Sequence, residues 1–365
     1  MKPVLFVTGH APAYRVAAFE RLHEQEGVEL ALFGGRLKHG GGPTAKELPF
    51  PHRHVSEHTL KGASELFGLA ASGRYRAVVC PTGGRLAMLA TWAGARRARV
   101  PLILWASLWS HPRSIPHALS YFALRRLYRS ADAIVTYGPH VSAYVRARGA
   151  RRVHVAPQSV DNAFWSSSEV SAPSNPAWPR EAAVKFLFAG RPAREKGLGV
   201  LIEAWSMSGL QAPTAALVLV GAGSTPPWIP AGGAVVGLDA VPATELRNFY
   251  AAADVLVLPS IATRTFREPW GLVVNEAMNR GLPVIVSDAV GAAGGGLVLD
   301  GRNGLVVPAG NPLELAGALK RLASDTLLRA RLGKAGREDV SAYTHRAWAE
   351  GFSHALADLE LSRGR

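Results

Sequence analysis

The chain reads as an α/β protein made of two doubly wound domains in tandem, and three observations predict it. Short apolar runs alternate with stretches of helical pattern along the 365 residues, which calls for parallel sheets covered by helices on both faces. One tract, Ser166-Ser167-Ser168-Glu169-Val170-Ser171-Ala172-Pro173-Ser174-Asn175-Pro176, breaks the alternation and has the serine and proline content of a linker. The length asks for two domains rather than one.

In the first half, strands are expected at 4–8, 28–33, 77–81, 102–106, 133–137 and 153–156, with helices at 15–25, 86–97, 115–129 and 140–148. The opening run Val4-Leu5-Phe6-Val7 is too short for a signal peptide and reads as the first strand. After the tract the alternation restarts. Strands are expected at 185–189, 216–220, 234–236, 255–258, 284–287 and 304–307, and helices at 199–206, 243–252, 270–279 and 312–323. A last amphipathic stretch, 344–361, is long enough to cross back to the first domain. The expected division is therefore 1–165, a linker at 166–182, 183–343, and a terminal helix in 344–365.

The single cysteine, Cys80, ends the apolar run Ala77-Val78-Val79-Cys80. It excludes a disulfide framework and a cysteine-based zinc cluster, and reads as a small buried residue in a reducing compartment. No segment approaches the ~18–20 uninterrupted apolar residues of a membrane span. A cytoplasmic protein is the expectation.

Charge is unevenly placed. Residues 1–165 hold 22 Lys and Arg against 9 Asp and Glu, whereas 166–365 hold 19 against 18, within a net charge of +14. From Leu66 to Ala131 there are ten arginines and no acidic residue. Such a basic first domain expects an anionic partner: nucleic acid, the cytoplasmic face of a membrane, or a lipid-diphosphate acceptor. The helix at 115–129, with Tyr121, Phe122, Arg125, Arg126 and Arg129, is the best membrane-surface candidate. No helix-turn-helix, zinc-finger or RNA-binding signature supports a specific nucleic-acid partner.

The densest chemistry lies in Glu268-Pro269-Trp270-Gly271-Leu272-Val273-Val274-Asn275-Glu276, two carboxylates eight positions apart beyond an apolar strand. Pro269 suits a helix start, and Gly271 lets backbone donors approach a ligand. On a helix, Glu276 would face roughly the same way as Glu268, so the two would bracket an anion-favouring N-terminus. A sugar nucleotide, with hydroxyls at both ends and a diphosphate between, fits that arrangement. Upstream, Phe188-Ala189-Gly190-Arg191-Pro192-Ala193-Arg194-Glu195-Lys196-Gly197 sets Arg191 and Lys196 on a tight loop after a strand end, two cations able to neutralise a diphosphate. Leu219-Val220-Gly221-Ala222-Gly223 lacks the third glycine of a dinucleotide fingerprint, Pro226 standing there instead. No Asp-x-Asp occurs, so a metal-bridged diphosphate is not expected.

These segments resemble the E-x7-E and G-R-x-x-x-x-K-G elements of retaining GT-B glycosyltransferases of family 4. The resemblance implies two Rossmann-like domains facing a central cleft, a nucleoside-diphosphate sugar as donor (UDP- or GDP-sugar), and no metal or tightly bound cofactor. It implies that Glu268 contacts the donor sugar and Glu276 the ribose. Arg191, Lys196 and the backbone at Gly271, Leu272 and Val273 would take the diphosphate charge, beside Gly190. Gly237 and Leu238 match the loop that receives the base. In the first domain, Gly9-His10-Ala11-Pro12-Ala13-Tyr14-Arg15 resembles a P-x-Y-R loop, which makes Gly9 and Arg15 donor-side candidates. His111, four positions past the strand end at Ser107, is a candidate facing the reacting centre, with Ser107 and His10 as the alternatives. Gly294-Gly295-Gly296 departs from the family, many relatives having an acidic residue there; the triplet reads as a flexible loop. The resemblance leaves the acceptor open; the basic first domain favours a lipid-linked or envelope glycan, with a soluble small molecule or polyol as the alternative. Another GT-B enzyme, such as a sugar-nucleotide epimerase or a phosphorylase, is the remaining rival.

Overall fold

The computed structural model describes residues 1–34, 48–56, 59–113, 115–223 and 234–363. Position 226, where the third glycine is missing, lies outside them. Two compact units result: Met1–Asp161 together with Thr344–Arg365, and Asn162–Tyr343.

The first unit begins with β1 (Val4–Thr8), α1 (Ala13–Glu26), β2 (Val28–Leu32), β3 (His52–His54), α2 (Leu60–Ala71) and β4 (Ala77–Pro81). It continues with α3 (Arg85–Ala98), β5 (Leu102–Ala106), α4 (Ile115–Ser130), β6 (Ala133–Thr136), α5 (Pro139–Arg146) and β7 (Val153–Val155). Its parallel sheet runs β3-β2-β1-β4-β5-β6-β7. Successive side chains of a strand point to opposite faces, and both faces are buried here. Val4, Phe6, Val79, Ile103 and Trp105 enter one core, while Leu5, Val7, Val78, Cys80 and Leu104 enter the other. Burial pushes the Cys80 thiol up to about 12, so it stays protonated and inert.

The second unit contains α6 (Asn162–Ser166), β8 (Val184–Ala189), α7 (Leu198–Ser208), β9 (Ala215–Val220), β10 (Val235–Leu238), α8 (Ala243–Ala252) and β11 (Val255–Leu258). Then come α9 (Leu272–Asn279), β12 (Val284–Ser287), α10 (Gly291–Gly294), β13 (Gly304–Val307), α11 (Pro312–Ser324) and α12 (Thr326–Val340). Its parallel sheet runs β10-β9-β8-β11-β12-β13. Asp254 ties the starts of two central strands, its Oδ2 accepting from Lys185 N at 2.7 Å. The chain ends with α13 (His345–Ala357), which packs in the first unit on α1: Trp348 meets Phe19 edge-on at 5.3 Å and Phe352 lies 5.2 Å from Phe6.

Two segments differ from the sequence reading. Residues 166–182 belong to the second unit and are pinned to α8: Trp178 stacks on Phe249 with ring planes 1° apart, and Ser174 donates twice to Glu245 Oε1. In the Gly294–Gly296 segment Gly294 ends α10 and Gly295 is buried, so the triplet is not wholly an open loop; Gly296 is exposed. A Cβ at Gly295 would lie 2.4 Å from the Trp270 ring, so the small residues are what admit the indole.

Candidate active site

The second sheet reverses its winding between β8 and β11, which pair at Phe186–Val255 and Leu187–Leu256. Connections leaving the carboxyl ends of such a pair diverge, which makes the switch point the natural ligand site of an open α/β sheet. Both motif loops start there.

From β8 the chain passes Gly190, whose N–H donates to Val220 O at 3.0 Å, and enters a 3-10 turn at Arg194–Lys196. Lys196 Nζ lies 2.5 Å from Glu268 Oε2, with only 17% and 9% of the two side chains exposed. Ser260 Oγ donates to the same oxygen at 3.3 Å, and Ser260 is itself fixed by Ser287 Oγ donating to its carbonyl. A buried carboxylate is tolerable with a cation and a hydroxyl supplied. Arg191 differs: its side chain is 63% exposed and among the described residues it pairs with Glu195 at 3.5 Å. Such an exposed pair is worth little, so the guanidinium can turn to an incoming anion at small cost.

The Glu268 segment is set from below. Glu268 bridges Val290 in parallel, Gly291 N donates to Glu268 O at 3.1 Å, and Ala292 N to Trp270 O at 2.8 Å. A Cβ at Gly291 would sit 2.0 Å from Pro269 O, so only glycine allows this approach. Helix α9 starts at Leu272, later than expected, with Gly271 before it at φ +92° and no room for a Cβ against Leu258. Glu268, in the bridge, and Pro269, in a bend, therefore precede the helix, and Glu276 does not share a helix face with Glu268. Among the backbone donors at the N-terminus, those of Leu272 and Val273 precede the helix's own ladder. Trp270 Nε1 donates to Asn275 Oδ1 at 2.7 Å, locking the approach to the helix.

Glu276 sits one turn further in. Tyr250 OH donates to its Oε2 at 2.8 Å. Burial pushes the Glu276 carboxyl up to about 7, against the lowering effect of that hydrogen bond. Burial and the neighbouring carboxylate also raise Tyr250 well above its ordinary value, keeping it a donor. At the end of β10, Gly237 and Leu238 run beside Leu219 and Val220; the Leu238 carbonyl accepts from Gly221 and Gly223. The structure thus gathers Gly190, Arg191, Lys196, Glu268, Gly271, Leu272 and Val273 around one switch point. Ser260 and Tyr250 were not read from the sequence. Ser260 carries a weak signal, ending the strand run before Glu268; Tyr250 has none beyond its helical pattern.

The first-unit candidates are reported by themselves. Gly9 follows β1, and its carbonyl accepts from Gly34 N at 2.8 Å. Arg15 is buried in the first turn of α1, with Nη2 donating to Gln158 Oε1 at 2.6 Å. Its guanidinium lies 5.4 Å from the ring centres of Tyr14, Trp105 and Trp348, and no carboxylate pairs with it among the described residues. Trp105 is core. His111 follows β5 and meets the Tyr121 ring edge-on at 5.0 Å, with Nδ1 3.5 Å from Tyr144 OH.

Two parallel-sheet α/β units, one carrying a cation–carboxylate pair and a glycine-capped helix at its switch point, define a protein of the GT-B fold. Solved structures agree on that fold. Sucrose-phosphate synthase from Thermosynechococcus elongatus matches with a TM-score of 0.71 at 20% identity, covering 99% of each chain. Anabaena Alr3699/HepE in complex with UDP-glucose matches with a TM-score of 0.70 at 18% identity, covering 98% of this chain and 100% of that one. Family models match both units, "Glycosyl transferase 4-like domain" over residues 5–158 and "Glycosyl transferases group 1" over residues 183–325. The second unit thus belongs to the glycosyl transferases group 1 family and the first to the glycosyl transferase 4-like domain family. Among curated relatives, the D-inositol 3-phosphate glycosyltransferase of Xylanimonas cellulosilytica is 31% identical over 68% of this chain and 64% of its own length. That of Corynebacterium diphtheriae is 37% identical over 34% of this chain and 27% of its own. The matches span less than two thirds of these relatives' lengths. Among the described residues no helix is long and apolar enough to cross a membrane.

Proposed function

We propose that this chain is a retaining glycosyltransferase that moves a sugar from a nucleoside-diphosphate sugar to an acceptor hydroxyl. The observation that carries the reading is the Lys196–Glu268 pair at the β8–β11 switch point, ahead of the α9 N-terminus. In this reading Glu268 accepts from donor-sugar hydroxyls and Glu276 from the ribose. The bond from the anomeric carbon to the diphosphate oxygen breaks, and the diphosphate leaves with the electron pair. Arg191, Lys196 and the backbone donors of Gly271, Leu272 and Val273 stabilise that developing charge, the kind of preorganised electrostatics that dominates such steps. The acceptor oxygen enters from the face the diphosphate leaves, passing its proton to a departing oxygen, so configuration is kept without a protein nucleophile. Gly9, Arg15 and His111 are assigned to the donor phosphates and the reacting centre.

Neighbours in complex with UDP and with UDP-glucose favour a uridine donor, a GDP-sugar being the other choice. For the acceptor, the basic first unit favours a lipid-linked glycan of envelope polysaccharide assembly, reached at the inner face of the cell membrane. A second reading, a soluble phosphorylated polyol, is favoured by relatives named D-inositol 3-phosphate glycosyltransferases.

The test is a thermal-shift panel with UDP, GDP, ADP and TDP on the wild type and Glu276→Ala. A nucleotide at a hundred times its dissociation constant adds ~2.7 kcal/mol. One nucleotide should stabilise the wild type and much less the variant. Equal stabilisation of both would remove the ribose role of Glu276, and no response to any nucleotide or its sugar would overturn the donor reading.

A further inference from the structure

A pocket of about 380 Å³ opens between α3 and α4 of the first unit, lined by Trp92, Arg96, Phe122, Arg125, Arg126 and Arg129. Four arginines line it. No acidic residue occurs from Leu66 to Ala131 to neutralise them, and none of the four forms an ion pair among the described residues. Trp92 Nε1 is buried with no acceptor among the described residues, although an indole N–H taken out of water normally finds one.

We propose that this pocket seats the phosphate of an anionic lipid headgroup and docks the α3–α4 face on a membrane surface. The inference rests on the membrane-borne acceptor reading above, for which it names the contact. Arginine is the residue of choice for phosphate oxygens, which it holds in a planar fork. The apolar side chains decide between a bilayer and other polyanions. Phe122 is 73% exposed at the pocket rim, and Leu86 and Leu89 are 45% and 41% exposed on α3. Leu86, Leu89 and Arg96 fall on one stripe of that helix by its period. A nucleic-acid backbone gives such residues nothing to enter. A bilayer surface places acyl chain directly beneath a layer of phosphates, and exposed Phe and Leu beside arginines match that order. The indole of Trp92 suits the same depth.

The experiment is co-sedimentation of the full chain with phosphatidylcholine vesicles, with and without phosphatidylglycerol, and a parallel titration with a DNA duplex. The variants are Arg125→Gln/Arg126→Gln/Arg129→Gln, Phe122→Ser, and a charge-matched control at exposed Arg146, Arg151 and Arg152, each changed to Gln. The wild type is expected to bind only vesicles containing phosphatidylglycerol. The pocket triple variant should lower partitioning on the order of a hundredfold, three arginines at ~1 kcal/mol each. Phe122→Ser, which leaves the charge intact, should lower it roughly tenfold, and the control only slightly. Equal losses in control and pocket variants would mean diffuse charge and overturn the proposal, as would wild type that ignores both vesicles. Pocket variants that lose duplex binding while keeping vesicle binding would reassign the site to nucleic acid. The nucleotide thermal shift on the same samples separates failures. Vesicle binding without any nucleotide response sinks the transferase reading alone, and the reverse sinks the pocket alone.

Discussion

Lys196 Nζ and Glu268 Oε2 lie 2.5 Å apart although 72 positions separate the residues in the chain. The contact exists because β8 and β11 are neighbours in the second sheet, so the loops leaving their carboxyl ends meet. A cation and a hydroxyl-binding carboxylate are thereby fixed to each other by topology and held in a site largely closed to water.

Lys196→Ala would strand the Glu268 carboxylate without its cation. The expected loss of stability is about 2–4 kcal/mol in urea unfolding. The expected fall in turnover with a nucleotide sugar is on the order of 10²–10³. Lys196→Met with Glu268→Gln should recover most of the stability and none of the rate. Purely additive effects in the double variant would show that the pair is not coupled.

Gly291→Ala should cost more than about 2 kcal/mol, because its Cβ would meet Pro269 O at 2.0 Å and pry the Glu268 bridge open. Gly317→Ala is the matched comparison. It sits in α11 with nothing within 4 Å of a Cβ, and should stabilise by about 0.5–1 kcal/mol. Denaturant midpoints of the two variants moving in the same direction would contradict this.

Glu276 makes stability depend on pH. Its carboxyl titrates near 7 in the fold against an ordinary value of 4.5, so the folded chain holds a proton that the unfolded chain has released. That contribution is full below 4.5 and is lost as pH rises through 7. Glu276→Gln should therefore flatten the decline between pH 5 and pH 8 by roughly 2 kcal/mol, discounted for the partial exposure of the residue. Parallel stability curves for wild type and variant would remove the assignment.

Trp348→Ala should cost about 3–5 kcal/mol. The side chain is fully buried, with Phe19, Trp105, Phe6 and Phe352 around it. Calorimetry should show the loss in the transition of the first unit. An unchanged melting profile would mean that α13 contributes nothing to that core.

Strand after strand was legible for one physical reason. A parallel strand buried on both faces is a continuous apolar run, so 4–8, 77–81, 102–106, 255–258, 284–287 and 304–307 were marked at the same bounds as β1, β4, β5, β11, β12 and β13. The short edge strand β3, His-Arg-His, has no such run and was missed. So were α2, which carries two glycines, and α12, whose exposed faces are dense in charge. The sequence expects α9 earlier because Pro269 resembles a helix-start proline; the bridge of Glu268 to Val290 and the bend at Pro269 hold the helix off until Leu272.

The sequence by itself determined the alternation, the fold class and the motif loops, because apolar periodicity and turn residues are local properties. Tertiary structure alone decided which loops meet. Ser260 reaches Glu268, Tyr250 donates to the buried carboxyl of Glu276, and Gln158 holds Arg15 across 143 positions. It also decided that α3 and α4 bring Arg96 to the arginines of another helix. None of these contacts has a spacing to read, since each follows from sheet order and from which helices pack side by side on one face, where distance along the chain carries no information.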